Sequence, residues 1–423
     1  MNISGDKQPC DVIVIGGGPC GATASALLAE KGHRVILLEK EKFPRYHVGE
    51  SLMPFCYFTL KRLGVLEEME KQAFVKKHSV QFVSKDGKIS DPFYFFQHFD
   101  HPAATTWQVE RSVFDDMLLR NAETKGVDVR EETEVRGFNY EGDRVVGVTA
   151  KAKNGEEYTL EAPLTLDCTG RDALFLRKKS WRKRDPKLNK IAIWTLYKNA
   201  KRDEGLDEGA TTVAYVDGRG WFWNIPLRNN IVSSGIVAER DYLYRDSRDP
   251  KEIYEREIEK NSWIKEHLGE GEQFGEYWVT GEYSYRGEHC ASDGLVMAGD
   301  AFAFLDPVFS SGVFLALKSG EMAADAIGEA LKQGDVSAGQ FSNYGEELCG
   351  MIEVMRKLVY AFYDENFSFG ELIKRHEEIR PMLTDCLIGD LDGKDYTPLA
   401  KAIGELASLP EPLAHGRIPE TVT

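Results

Sequence analysis

The chain has 423 residues, enough for one large domain with an insert or for two domains sharing a core, and too many for a single small module. Lys and Arg number 53 against 69 Asp and Glu, a formal charge of −16, which argues against binding to a phosphate backbone and leaves no nucleic-acid partner expected. No stretch approaches an uninterrupted apolar membrane span, and the opening residues MNISGDKQPC carry no charged-then-apolar export pattern, so a cytoplasmic protein is expected. Seven cysteines, at positions 10, 20, 56, 168, 290, 349 and 386, form no Cys-x-x-Cys pair and have no histidine at zinc-ligand spacing. Reduced thiols and no metal follow.

In chain order, strand and helix patterns interleave without repeats, which predicts an α/β fold. An apolar strand over 11–15 runs into the turn G-G-G-P-C-G and a small-residue helix over 22–30, and a second strand over 35–39 ends at Glu39. Gly16, Gly18 and Gly21 have the spacing of a dinucleotide-binding turn. Glycines there allow a tight turn and close approach of a pyrophosphate, whose charge the unpaired N–H groups of the helix start would receive. Glu39, about twenty residues on, is placed to accept hydrogen bonds from a ribose. A Gly-rich turn alone is an ordinary feature; strand, turn, helix and carboxylate together predict a Rossmann-type βαβ unit.

Further strand patterns at 164–167 and 295–297 are far from the first unit, so the cofactor domain is expected to be discontinuous, over 8–60, 104–180 and 281–340. β-rich stretches at 79–83, 191–196, 211–223 and 231–237 suggest an inserted substrate-side sheet built from 61–103 and 181–280. Residues 341–423 read as a mainly helical cap.

Several motifs bear on the chemistry. Gln108 and Arg111 in W-Q-V-E-R-S-V-F-D resemble the helix with which flavoprotein hydroxylases and halogenases grip FAD, and Arg45 lies in the F-P-R-Y-H-V-G-E-S-L stretch. D-C-T-G-R at 167–171 and M-A-G-D-A at 297–301 resemble the second and third cofactor motifs of that group, which implies that Asp300 meets the ribityl chain. G-W-F-W-N-I-P, with Trp221 and Trp223, resembles the W-x-W-x-I-P signature of flavin-dependent halogenases, and F-L-D-P-V-F-S-S-G resembles the pattern of members acting on phenols and pyrroles. By these motifs the chain is similar to that family over nearly its whole length, within the para-hydroxybenzoate hydroxylase and geranylgeranyl reductase superfamily.

The resemblance implies FAD used as FADH2, oxygen, and chloride or bromide as co-substrate. In the family these yield hypohalous acid, which reaches a lysine beside a small aromatic substrate. It also implies that Trp221 and Trp223 separate substrate from flavin, although aromatic residues at i and i+2 on a strand are commonly just core. The backbone of Ser311 and Gly312, at the start of a helix, matches the family's halide site; Ser310 equally reads as a plain N-cap. In phenol-type members the lysine follows Phe-Pro and precedes Gly-Ala. Here A-F-V-K-K-H-S-V-Q-F puts Lys77 on that position, with Lys76 where Pro belongs, so the choice between the two lysines stays open.

No glutamate matches the second catalytic group of tryptophan halogenases, which favours a phenol-like or pyrrole-like substrate. His47 reads as structural or cofactor-contacting rather than catalytic. The basic run 177–184 is either a solvated loop or a landing site for an acidic carrier protein bearing the substrate. One dinucleotide fingerprint implies a separate flavin reductase. An aromatic monooxygenase or a geranylgeranyl-reductase-like enzyme on the same scaffold, or a flavin-binding protein without turnover, are the competing readings.

Overall fold

The computed structural model describes residues 10–216, 220–281 and 284–418. The predicted βαβ unit forms: strand Val12–Ile15, helix Pro19–Glu30 and strand Val35–Leu38. All eight strand residues are buried, as expected where helices and a second layer cover both faces of a parallel sheet.

Val12–Ile15 is the centre of a six-stranded sheet. Its neighbours are Val35–Leu38 on one side and Leu164–Asp167 on the other, all parallel, with Leu295–Met297 and Asp128–Arg130 farther out and Ala291–Ser292 antiparallel at one edge. The distant segments 164–167 and 295–297 thus pair side by side with register Asp167↔Met297. This pairing brings all three cofactor motifs to the carboxyl ends of adjacent strands, where open α/β sheets bind ligands.

A second, seven-stranded sheet runs in the order Glu272–Thr280, Lys190–Lys198, Ile231–Glu239, Gly220–Leu227, Thr211–Val216, Ser79–Val83, Phe93–Tyr94. The β-rich stretch over 211–223 spans parts of two strands, paired antiparallel with Val213 opposite Trp223. Its side chains split by the period of two. Phe222 packs against Tyr254 of the helix Pro250–Ile258 on the outer face, whereas Trp221, Trp223 and Ile225 point into the space between the two sheets. One rung of this sheet reads Trp278, Trp194, Gly235, Trp223, Val213 across five strands. A Cβ on Gly235 would collide with the Trp223 indole and the Cβ of Trp194, so glycine is what lets both indoles share the rung.

A short ribbon pairs Val75–Lys77 with Thr106–Gln108 and links the two sheets. Residues after Phe341 are mainly helical, led by Ser342–Tyr363, whose last residue reaches back to Trp221. Among the described residues no helix is long and apolar enough to cross a membrane.

Candidate flavin and halogenation site

Between the sheets lies a cavity of about 640 Å³, within the size range of small-molecule and cofactor sites. Its wall carries Gly16, Gly18, Glu39, Arg45, Arg111, Asp300 and Gly312, residues brought together from distant parts of the chain.

The glycine turn fits a dinucleotide for reasons visible in its packing. Gly16 has φ +102°, and a Cβ there would run into the Cys168 carbonyl, while a Cβ on Gly21 would run into the Gly16 carbonyl. These two glycines close the turn against the sheet. Gly18 is different: a Cβ there would meet only an Arg45 nitrogen 3.6 Å away, so its open side faces the cavity. No side chain caps the helix it begins, leaving that N-terminus for an anionic group. Glu39 is buried and accepts from the Gly17 N–H at 2.7 Å and the Glu41 N–H at 2.8 Å, which fixes its carboxylate beside the turn.

Arg111 forms a two-pronged pair with Asp115, at 2.7 and 2.9 Å, and Arg45 joins the same carboxylate at 2.9 Å. Burial works to raise the Asp115 pKa, but the two guanidinium groups outweigh it and hold the carboxyl below its usual range. Arg111 also donates to the Val48 carbonyl at 2.9 Å, tethering the 45–50 loop over the cavity. Asp300 is pushed up to about 6 by burial, with Arg171 and Arg111 pulling it part-way down.

Of the expected positions, Gly21, Lys77, Gln108 and Ser311 do not line the cavity. Gln108 is fully buried behind the wall, where its amide donates to the Thr211 hydroxyl at 2.8 Å and the Gly209 carbonyl at 2.9 Å; its strand register turns it toward the seven-stranded sheet. Ser311 is buried in the first turn of the helix Ser311–Gln333, while Ser310 and Gly312 line the cavity. Ser310, at φ +57°, makes no side-chain cap, so the helix start has open N–H groups beside Gly312. His47 bonds the neighbouring Val48 carbonyl at 2.7 Å.

The two lysines separate sharply. Lys76 is half-buried at the surface, bonded to Glu70 at 2.6 Å and laid over the Trp107 ring. Lys77 points inward and is buried. Its Nζ donates to Ser51 Oγ at 2.8 Å and the Leu52 carbonyl at 3.0 Å, and burial lowers its pKa to about 7. Ser51 Oγ is 2.7 Å from Thr211 Oγ1, and both of these hydroxyl residues line the cavity although Lys77 does not. Alternation along the ribbon Val75–Lys77 puts adjacent lysines on opposite faces. The sequence left this choice open because the pairing partner, Thr106–Gln108, was not legible as a strand.

Trp221 and Trp223 are buried on the wall with ring centroids 6.2 Å apart. Trp221 Nε1 donates to the Tyr363 hydroxyl at 2.8 Å, which in turn donates to Asp306 at 2.9 Å; burial pushes the Asp306 carboxyl up to about 6. Trp223 Nε1 donates to Ser233 Oγ at 3.2 Å.

Sequence reasoning assigned no glutamate to this site, yet Glu50 stands on the cavity wall, buried, with its pKa raised by burial and drawn back by the Gly49 N–H and the Ser233 hydroxyl. The lack of an assignable glutamate therefore no longer argues against an indole substrate. Within the basic run, Lys183 pairs with Glu288 at 3.0 Å and Arg182 lies on the Tyr285 ring, while Arg177, Lys178, Lys183 and Arg184 are exposed.

An FAD binding domain family matches residues 9–348. The chain is 32% identical over 401 residues to a 1H-pyrrole-2-carbonyl-[peptidyl-carrier protein] brominase of Pseudoalteromonas luteoviolacea, covering 93% of this chain and 96% of the relative. The chain belongs to the flavin-dependent halogenases. This halogenase is also 32% identical over 366 residues to a tryptophan 2-halogenase of Chondromyces crocatus, covering 84% of this chain and 68% of that one. It superposes on the structure of a flavin-dependent brominase with a TM-score of 0.85 at 29% identity, covering 94% of this chain and 98% of the other. The expected fold, FAD and halogenase chemistry are borne out at the level of the family.

Proposed function

We propose that the protein is a two-component halogenase that receives FADH2 from a separate flavin reductase in the cytoplasm and halogenates an electron-rich aromatic ring of phenol or pyrrole type through Lys77. The observation that carries this reading is the buried Lys77 amine, held by Ser51 at 2.8 Å directly behind the cavity wall. Bound FADH2 supplies, with oxygen, the electrons and oxidising equivalent that convert halide to hypohalous acid.

The residues assigned to hold the cofactor are Gly16, Gly18, Glu39, Arg45, Arg111 and Asp300, with Gly21 shaping the turn and Gln108 acting one layer behind through Thr211. Backbone N–H groups at Gly312 and the neighbouring Ser311 would receive chloride or bromide, since a helix start favours an anion. Trp221 and Trp223 would wall the organic substrate off from the flavin while leaving room for a small oxidant.

At a pKa near 7 Lys77 is substantially neutral at physiological pH. Its two observed donor bonds use two N–H groups and leave the lone pair of the neutral amine available to take the electrophilic halogen. Taking the halogen breaks the oxygen–halogen bond of hypohalous acid, and the hydroxide so released leaves as water with one amine proton. The haloamine then passes its halogen to the aromatic carbon, and the displaced ring proton returns to the nitrogen to restore the amine.

The kinship with a pyrrolyl carrier-protein brominase supports a substrate tethered to a carrier protein. The test supplies FADH2, oxygen and bromide with carrier-loaded pyrrole-2-carbonyl, free pyrroles, phenols and indoles, and reads products by mass spectrometry. Bromination of a pyrrole or phenol is expected. Oxygenated products formed without halide would replace this reading with a monooxygenase.

A further inference from the structure

Cys20 and Cys168 are 148 residues apart in sequence, yet their sulfur atoms are 3.2 Å apart. Cys20 is in the first turn of the helix Pro19–Glu30, and Cys168 follows the strand Leu164–Asp167. Of the seven cysteines, these are the two on the wall of the flavin cavity. Backbone approaches both residues closely: a Cβ on Gly16 would run into the Cys168 carbonyl, one on Gly21 would stand 3.3 Å from the Cys168 Cβ, and one on Gly299 would stand 3.2 Å from the Cys20 sulfur. Close packing of this kind leaves the two cysteines little room to separate.

We propose that Cys20 and Cys168 are a redox-active dithiol that closes to a disulfide when hypohalous acid in the cavity is not consumed by substrate. Hypohalous acid transfers its halogen to one thiol, giving a sulfenyl halide and water. The second thiol then displaces halide, forming the S–S bond and releasing the hydrogen halide. Two thiols and one hypohalous acid therefore yield one disulfide, water and one hydrogen halide, with two electrons passing from sulfur to halogen.

Burial raises the Cys168 thiol pKa well above the usual range. Whichever sulfur takes the halogen first, the other stands in contact to displace the halide. Closure shortens the sulfur separation from 3.2 Å to roughly 2.0 Å, a movement that side-chain rotation and a small shift of the helix end supply. A resolving sulfur already in contact intercepts the sulfenyl halide before a second oxidation can carry it to the irreversible acids. The product is reopened by ordinary thiol exchange.

The inference rests on the oxidant named above but not on Lys77, and it is tested with the oxidant added directly. The full chain is treated with one equivalent of hypobromous acid and, in parallel, turned over with FADH2, oxygen and bromide in the absence of aromatic substrate; free thiols are counted and peptides are mapped. With direct addition, the free-thiol count drops from seven to five, the Cys20 and Cys168 peptides are linked, and dithiothreitol restores both. Cys20→Ala and Cys168→Ala each lose the linked peptide. Sulfinic or sulfonic acids on either cysteine, or oxidation elsewhere with this pair left reduced, overturns the proposal. Linkage under added hypobromous acid but not under turnover keeps the dithiol and overturns its coupling to the enzyme's own oxidant.

Discussion

Lys77 Nζ lies 2.8 Å from Ser51 Oγ, and Ser51 is on the wall of the flavin cavity whereas Lys77 is one layer behind it. That bond joins a buried amine to the wall of the cavity. It also explains how a lysine survives in the interior: the amine is neutral part of the time and has acceptors for its protons.

Burying this lysine costs stability, so Lys77→Met is expected to stabilise the fold at pH 7 by about 1–3 kcal/mol while removing activity. The folded-state pKa of about 7 is far below the unfolded lysine's roughly 10.4, so between these values the unfolded chain binds more protons. The parent therefore gains stability relative to the variant as pH rises from 7 toward 10.5. Denaturant unfolding of both proteins at pH 7 and pH 10 measures this; an advantage for methionine of equal size at both pH values would refute the assigned pKa.

Gly235→Ala tests the tryptophan rung. The added methyl collides with the Trp223 indole and with Trp194, and overpacking of this kind costs about 1–3 kcal/mol. Because the backbone there needs no left-handed φ, the effect comes from displaced indoles. We expect a lower Tm together with loss of halogenated product, with flavin absorbance in the purified protein unchanged. Retained halogenation would show that the placement of Trp223 does not matter to the reaction.

Asp115→Asn removes the carboxylate shared by Arg111 and Arg45 and leaves two guanidinium groups facing each other. Breaking a buried pair from one side costs about 3–5 kcal/mol. The loop over the cavity, tied through Arg111 to Val48, loosens with it, so FAD titration should give a Kd at least tenfold weaker. Unchanged FAD affinity would mean that the loop is held by other contacts.

Much of the frame was legible in the sequence. The strands at 164–167 and 295–297 occur where the apolar runs put them, and the glycine turn has the geometry its spacing requires. Local patterns of period two also identified which residues of 221–225 share a face. They carry no information on which strands become neighbours.

The rung joining Trp278, Trp194, Gly235 and Trp223 depends on that long-range order, as does the contact of Tyr363 with Trp221 across 142 residues. Glu50, Ser51 and Thr211 were missed for the same reason: each is an ordinary polar residue until pairing places it on the cavity wall. Gln108 was assigned to the cofactor because its motif was matched; its strand register places it one layer behind the cavity wall, bonded to Thr211.

The central claim is that Lys77 carries halogen to the substrate, and one comparison tests it most directly. The parent, Lys77→Met and Lys76→Ala are each supplied with FADH2, oxygen, bromide and the accepted aromatic substrate, while a small external scavenger reports hypobromous acid that escapes. The parent and Lys76→Ala should brominate the substrate at rates within about twofold of each other, as expected for a surface side chain turned away from the cavity. Lys77→Met should lose at least about a hundredfold in product, a loss of about 2.7 kcal/mol in transition-state stabilisation, while still releasing hypobromous acid to the scavenger. Substrate bromination by Lys77→Met at the parent's rate would contradict the account.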